Sequence, residues 1–274
     1  DGAWGRMVGQ EGRGVATIIN MVNHTRLDCT IGATAGMRQA LAQATHHAAH
    51  RRAFGHDLID QPLMGNVLAD LAIESEAATI TMLRLARAYD ASATDEGEAI
   101  FRRLATAVSK YWICKRHPVF VGEALECLGG NGYVEESILP RLFRESPLNG
   151  IWEGSGNVIC LDVLRAIARQ PESLDAFRAE LAEAVGVDAR YDAWVHRVDT
   201  ELTDMDNIER RARSVVEALA LALQGSLLLR FGHPAVADAF CASRLGRDWG
   251  AAFGTLPAGV DTGTIVERAR PKVS

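Results

Sequence analysis

At 274 residues, with 48% apolar and 23% charged side chains, the chain has the length of one large or two modest domains and enough apolar residues for a packed core. That composition excludes wholesale disorder, and 25 Gly with 8 Pro, near background, excludes collagen-like and low-complexity architectures. A formal charge of −6 speaks against a nonspecific nucleic-acid binder. Five scattered cysteines (Cys29, Cys114, Cys127, Cys160, Cys241), odd in number and without a CxxC, speak against a disulfide framework and fit a reducing, cytoplasmic setting. No apolar run approaches the ~20 residues of a membrane span, so no membrane partner is expected.

The chain opens on Asp1, and DGAWGRMVGQEGRG reads as the tail of an upstream segment. The Gly-rich stretch Gly9–Gly14 lacks a preceding strand and reads as a loop entering a helix rather than a phosphate cradle. Apolar and small residues at three- and four-residue spacing predict a helix over 15–50, whose run Gly32-Ala33-Thr34-Ala35-Gly36 allows close approach of a helix or ligand. Gly55 is expected just past its end. A second helix is predicted over 62–89, with Pro62 in its first turn. A third runs over 98–128 and should kink or break at Pro118. Leu128-Gly129-Gly130-Asn131-Gly132-Tyr133 must turn, through positive φ or close backbone approach. Short helices follow over 137–144 and 156–168, the latter capped by Ser155. Further helices are expected over 173–184, 189–229 (one or two) and 234–245, then an irregular tail. No strand is predicted. The fold class is all-α: an antiparallel four-helix bundle with a helical C-terminal extension.

Three segments in this order, Arg51-Arg52-Ala53-Phe54-Gly55, Leu128–Tyr133 and Ile151-Trp152-Glu153-Gly154-Ser155-Gly156-Asn157, resemble the C-terminal helical domain of the acyl-CoA dehydrogenases. The stretch from Leu128 to Arg165 is most similar to the AidB-like branch of that family, which carries an alkylation-response association and a C-terminal extension. The resemblance implies the end of an upstream β-domain over 1–14, the bundle over 15–169 and the extension over 170–274. It also implies FAD as cofactor, an acyl-CoA substrate, an unspecified electron acceptor and a homotetramer.

The family's residues carry over position by position. Glu153 matches the catalytic base that removes the α-proton of the thioester; a dry cleft, walled by Trp152, would raise its pKa, while the helix start near Gly156 would favour the anion. Arg26 matches an arginine beside that base; a surface ion pair with Asp28 or a neighbouring helix is the plain alternative. Arg51, Phe54 and Gln61 match positions that contact FAD across a subunit interface. Gly129 and Gly130 match a turn where bare backbone nears the dinucleotide; Ser155 and Asn157 match FAD donors. Glu126, where relatives often have Gln, and Ala53, where many have Thr, depart from the pattern. No metal site is expected: His46, His47 and His50 read as polar surface histidines.

From Val158 to Ser274 there are 14 Lys+Arg and 17 Asp+Glu, so the extension is not basic. DNA binding, the alternative function, would rest on a patch gathering Arg197, Arg210, Arg211, Arg213 and Arg244, although opposite charges flank that cluster. The apolar stripe of Ile208, Val215, Val216, Leu219, Leu221, Leu223, Leu227 and Leu228 predicts burial against the bundle or another subunit.

Overall fold

The computed structural model describes residues 2–204 and 206–272; Asp1 and the last two residues of the expected extension lie outside it. Four helices form the bundle: α1 (Gly14–His50), α2 (Pro62–Ala91), α3 (Glu96–Glu126) and α6 (Gly156–Arg169). Between α3 and α6 lie α4 (Gly130–Tyr133) and α5 (Leu139–Glu145). Asp95 opens α3 by accepting from the Glu98 amide at 3.2 Å, satisfying an otherwise orphan donor. Asp162 of α6 meets Arg103 of α3, while Gly156 lies against Tyr111, so α6 runs antiparallel to α3.

The small-residue run of α1 works as a packing seam. A Cβ on Gly36 would lie 2.2 Å from Nε2 of His117, and one on Gly32 would lie 3.2 Å from the Asn149 side chain. Pro118 does not break α3, which corrects the break that was one of the two expected outcomes. It removes one helical N–H, but His117 and Phe120 beside it are fully buried, and α3 continues to Glu126.

The absence of strands is also corrected. α1 stops at His50, and β1 (Arg52–Ala53) pairs antiparallel with β2 (His56–Asp57), Arg52 opposite Asp57. Phe54 and Gly55, at φ 53° and 86°, form the two-residue turn whose positive dihedrals match strand twist. Gly55 therefore serves the hairpin and not the helix end. Arg52 donates back to the Gly55 carbonyl at 2.7 Å.

The extension comprises α7 (Pro171–Ala182), α8 (Ala189–Thr203), α9 (Ile208–Phe231), α10 (Pro234–Phe240) with a following π turn over Cys241–Leu245, and α11 (Thr262–Ala269). The tail expected to be irregular thus contains a helix, capped by Asp261 through the Thr264 amide. α9 is long and apolar enough to cross a membrane by composition, but its stripe from Val215 to Leu228 is buried in the fold and only Ile208 is partly exposed.

A buried ionic cluster ties extension to bundle. Arg244 pairs with Asp70 and, at 3.2 Å, with Glu74, both on α2. Trp249 Nε1 and the Gly254 amide donate to Asp70 at 3.3 and 2.9 Å. Burial pushes the Glu74 carboxyl up, but Arg116 and Arg244 outweigh it and hold it below the usual carboxylate range. The Arg244 side chain is 1% exposed, so it is a structural cation and drops out of any DNA-facing patch.

Candidate functional site

The residues matched to the family fall into two clusters, one beside Arg26 in the first half of α1 and one at Arg51 just past its C-terminal end. Arg26 and Arg51 are 25 positions apart on or just beyond one helix, which at 1.5 Å per residue separates them by roughly 37 Å.

The first cluster surrounds Glu153. Its backbone sits at φ 58°, a left-handed conformation unusual for a non-glycine residue, followed by Gly154 at φ 116°. Conformations of this kind persist where neighbours over-determine them. Here three side chains do so. Arg26 Nε donates to the Glu153 carbonyl at 3.1 Å. Lys110 Nζ donates to the carbonyls of Trp152 at 2.9 Å and Gly154 at 2.6 Å. Trp152 Nε1 donates to Asn149 Oδ1 at 2.9 Å. Glu153 is partly buried and Trp152 is 43% exposed.

The plain alternative for Arg26 is realised in a largely buried form, as an ion pair with a neighbouring helix. It lies beside Glu153, and its Nη1 also pairs with Asp162 of α6 at 2.8 Å rather than with Asp28. Asp162 additionally receives Arg103 at 3.1 Å. Burial raises the Asp162 carboxyl, and Arg103 and Arg26 outweigh this to lower it.

Ser155 occupies the cap position of α6, but its hydroxyl makes no cap hydrogen bond, which corrects the capping role expected of it. Asn157 Oδ1 accepts from Arg213 Nε of α9 at 2.9 Å, so the extension reaches the first turn of α6.

The second cluster is a cleft of about 390 Å³ lined by Arg51, Ala53, Glu126, Gly129 and Gly130, with His47 in its wall. Gly129 has φ 58°, and a Cβ on Gly129 or Gly130 would meet nothing within 4 Å. The bare backbone therefore faces open space. Gly132 is different: a Cβ there would lie 2.2 Å from the Leu125 carbonyl. Gln61 Nε2 donates to the Ala53 carbonyl at 3.0 Å and so braces the hairpin. Phe54 is 95% exposed at the hairpin tip. His47 is half-buried in the cleft wall, where burial, with Arg51 adjacent, lowers its pKa. His46 and His50 are exposed, with ring centroids 4.3 Å apart.

Of the arginines considered for DNA, Arg197 pairs with Glu201 at 2.9 Å and Arg211 with Asp204 at 3.3 Å. Arg210 is exposed and makes no ion pair among the described residues. Sequence reasoning missed Lys110 altogether. Its signal is a lysine flanked by Val108, Tyr111, Trp112 and Ile113, all buried, inside a helix with no polar face at that level.

Residues 12–168 match the family described as acyl-CoA dehydrogenase, C-terminal domain. AidB of Escherichia coli (strain K12) is 44% identical over 239 residues, covering 87% of this chain and 44% of the relative. The structure of Caenorhabditis elegans ACDH-11 in complex with C11-CoA superposes with a TM-score of 0.77 at 28% identity, over 88% of this chain and 44% of that one. An acyl-CoA dehydrogenase complexed with FAD from Bacillus anthracis, at 14% identity and a TM-score of 0.67, shares the fold over 97% of this chain and 55% of its own. The chain thus spans less than half the length of AidB. By the family match over more than half its residues, and by an all-α bundle of the same kind, this chain belongs to the acyl-CoA dehydrogenase family.

Proposed function

We propose that the chain is the C-terminal helical part of an FAD-dependent dehydrogenase of the AidB-like branch, acting on acyl-CoA thioesters, with residues 170–274 as its extension. The observation that carries this reading is the loop at Glu153. A strained, carboxylate-bearing residue is held through main-chain carbonyls by Arg26 and Lys110, which leaves its own side chain uncommitted among the described residues. Strain retained at a carboxylate is the pattern of a functional loop.

The cleft at Arg51 has the donor set for part of a dinucleotide. A guanidinium suits a pyrophosphate, and the open backbone of Gly129 and Gly130 admits close approach. Glu126 in the same lining opposes that charge, and Arg51 compensates it. FAD, when bound, supplies the hydride acceptor. Glu153 takes the α-proton of the thioester on its carboxylate, Trp152 shields that carboxylate from water, and Ser155 and Asn157 offer hydrogen bonds toward the cofactor. Roughly 37 Å along α1 separates Glu153's support from Arg51, so one chain presents two half-sites. A homo-oligomer in which Arg51, Phe54 and Gln61 of one protomer complete the cofactor site of another accounts for that separation. The exposed Val15, Ile18, Ile19 and Met21 on α1 and Leu148 and Ile151 beside Glu153 offer apolar surface for such contacts.

The test is an anaerobic titration of the whole protein with a panel of acyl-CoA thioesters, followed by visible flavin absorption. Bleaching by one chain-length class supports the reading. An oxidised spectrum unmoved by every thioester overturns it.

A further inference from the structure

A second cleft lies within the extension, away from both clusters. It measures about 370 Å³ and is lined by Trp194, Arg197, Leu221, Arg244, Arg247 and Trp249, with Glu217 as its one carboxylate. That volume is within the range of small-molecule pockets and, at about 30 Å³ per water-sized unit, has room for roughly a dozen non-hydrogen atoms.

Its chemistry is guanidinium donors set on indoles: Arg244 is paired with Asp70 and Glu74 and Arg197 with Glu201 through Nε, which leaves Arg247 and the other N–H groups of Arg197 for a ligand. The Arg197 guanidinium lies 4.8 Å from the Trp194 ring centroid and that of Arg247 lies 5.7 Å from the same ring. Arg244 lies 4.4 Å from the Trp249 ring. Stacking fixes each planar fork and leaves its N–H edge to bond outward. Among the described residues two of those donors have no acceptor although they are buried: Nη1 of Arg197 and Nε of Arg244, the latter on a side chain 1% exposed. The indole N–H groups are already used, by the Ala218 carbonyl and Asp70. Arg247 makes no ion pair among the described residues and holds φ 62°, a conformation disfavoured for arginine unless its position is required. Buried donors without acceptors are costly, and an acceptor entering the cleft would satisfy that of Arg197.

We propose that this cleft binds a small organic monocarboxylate: the carboxylate accepts from Arg197 and Arg247 at the mouth, and an apolar body lies along Leu221 and the indoles. Glu217 sets the limit at one negative charge, because a second would face a carboxylate. Its lining shares no residue with the Glu153 loop or the Arg51 cleft. It sits on the junction that Arg244 makes with α2, so occupancy reinforces docking of the extension on the bundle.

Benzoate is the probe, with benzamide as its neutral isostere and inorganic phosphate as charge without an apolar body. Calorimetric titration and thermal unfolding of the whole protein should show saturable benzoate binding with a raised Tm, little response to benzamide, and weaker binding of phosphate. Arg197→Gln and Arg247→Gln, each checked for an unchanged circular-dichroism spectrum, should weaken benzoate by about tenfold, as the loss of a charge-assisted hydrogen bond does. Arg244 is left intact because its loss would disturb the ionic cluster. Absence of saturable binding at millimolar benzoate, equal binding of benzamide or phosphate, or unchanged affinity in both variants overturns the proposal.

Discussion

The ammonium nitrogen of Lys110 lies 2.6 Å from the carbonyl oxygen of Gly154, beneath the turn that presents Glu153. Lys110 is 1% exposed and has no carboxylate partner among the described residues; two main-chain oxygens are its acceptors. Burial lowers its pKa. A buried charge is costly, and here it is kept where it fixes the one backbone segment on which the proposed chemistry depends.

Lys110→Met keeps the apolar stem and removes the donor. Two loop carbonyls then lose their partner, at a cost of about 1–3 kcal/mol, partly offset by relief of the buried charge. Urea unfolding should register that loss. Turnover should fall by about tenfold or more while flavin content is retained, because a small misplacement of a catalytic group is expensive in rate. Unchanged turnover would mean that the loop needs no support from α3.

Asp162 joins α1, α3 and α6 through Arg26 and Arg103. Asp162→Asn leaves two guanidiniums short of a counter-charge. Breaking a buried pair costs about 3–5 kcal/mol, and partial exposure of this one reduces the expectation to about 2–3 kcal/mol. The measurement is the urea midpoint with an unchanged m-value.

At the extension, Arg244→Met exposes Asp70 and Glu74 to each other in a buried setting. A loss of about 3–5 kcal/mol is expected. It should appear first as faster proteolysis in the extension, because that cluster joins the two parts. Protease resistance equal to that of the parent would show that α9 packing alone holds the extension.

His117 sets the pH response between neutrality and mild acid. Among the described residues its ring nitrogens have no hydrogen-bond partner, and burial pushes its pKa from the ordinary 6.5 down to about 4. Between those values the unfolded chain binds a proton that the native chain refuses, so stability falls as pH drops from 6.5 toward 4, by at most about 3 kcal/mol. His117→Leu should flatten that part of the profile. Glu74, Asp162 and Glu180 (on α7, paired with Arg84 and Arg230) have lowered values, so their stabilisation is present above their ordinary values and is lost as pH falls through the lowered ones, a loss that begins at the acid end of the His117 window.

Much of this architecture was legible in the residues. Helix spacing located the bundle, and the Gly32–Gly36 run correctly marked a close approach, realised against His117 and Asn149. The glycine cluster after Leu128 required positive φ or crowding, and the chain uses both: φ 58° at Gly129 and contact with Leu125 at Gly132. What escaped depends on tertiary partners. Lys110 acts on residues 42 and 44 positions away, and Arg244 on residues 170 and 174 positions away. Such pairings leave no local period. The hairpin at Phe54 escaped because strands of two residues are too short for alternation to register. No break follows at Pro118 because the burial around it outweighs a single lost hydrogen bond.

The most direct test of the account is Glu153→Gln in the whole, flavin-loaded protein, mixed with the best thioester under anaerobic single-turnover conditions. Glutamine keeps the size and the main-chain bonds to Arg26 and Lys110 but cannot accept the proton. The account predicts an intact flavin spectrum and flavin reduction slowed by about 10²–10⁴-fold. Reduction at the parent rate would contradict it, because the proton would then leave to some other group.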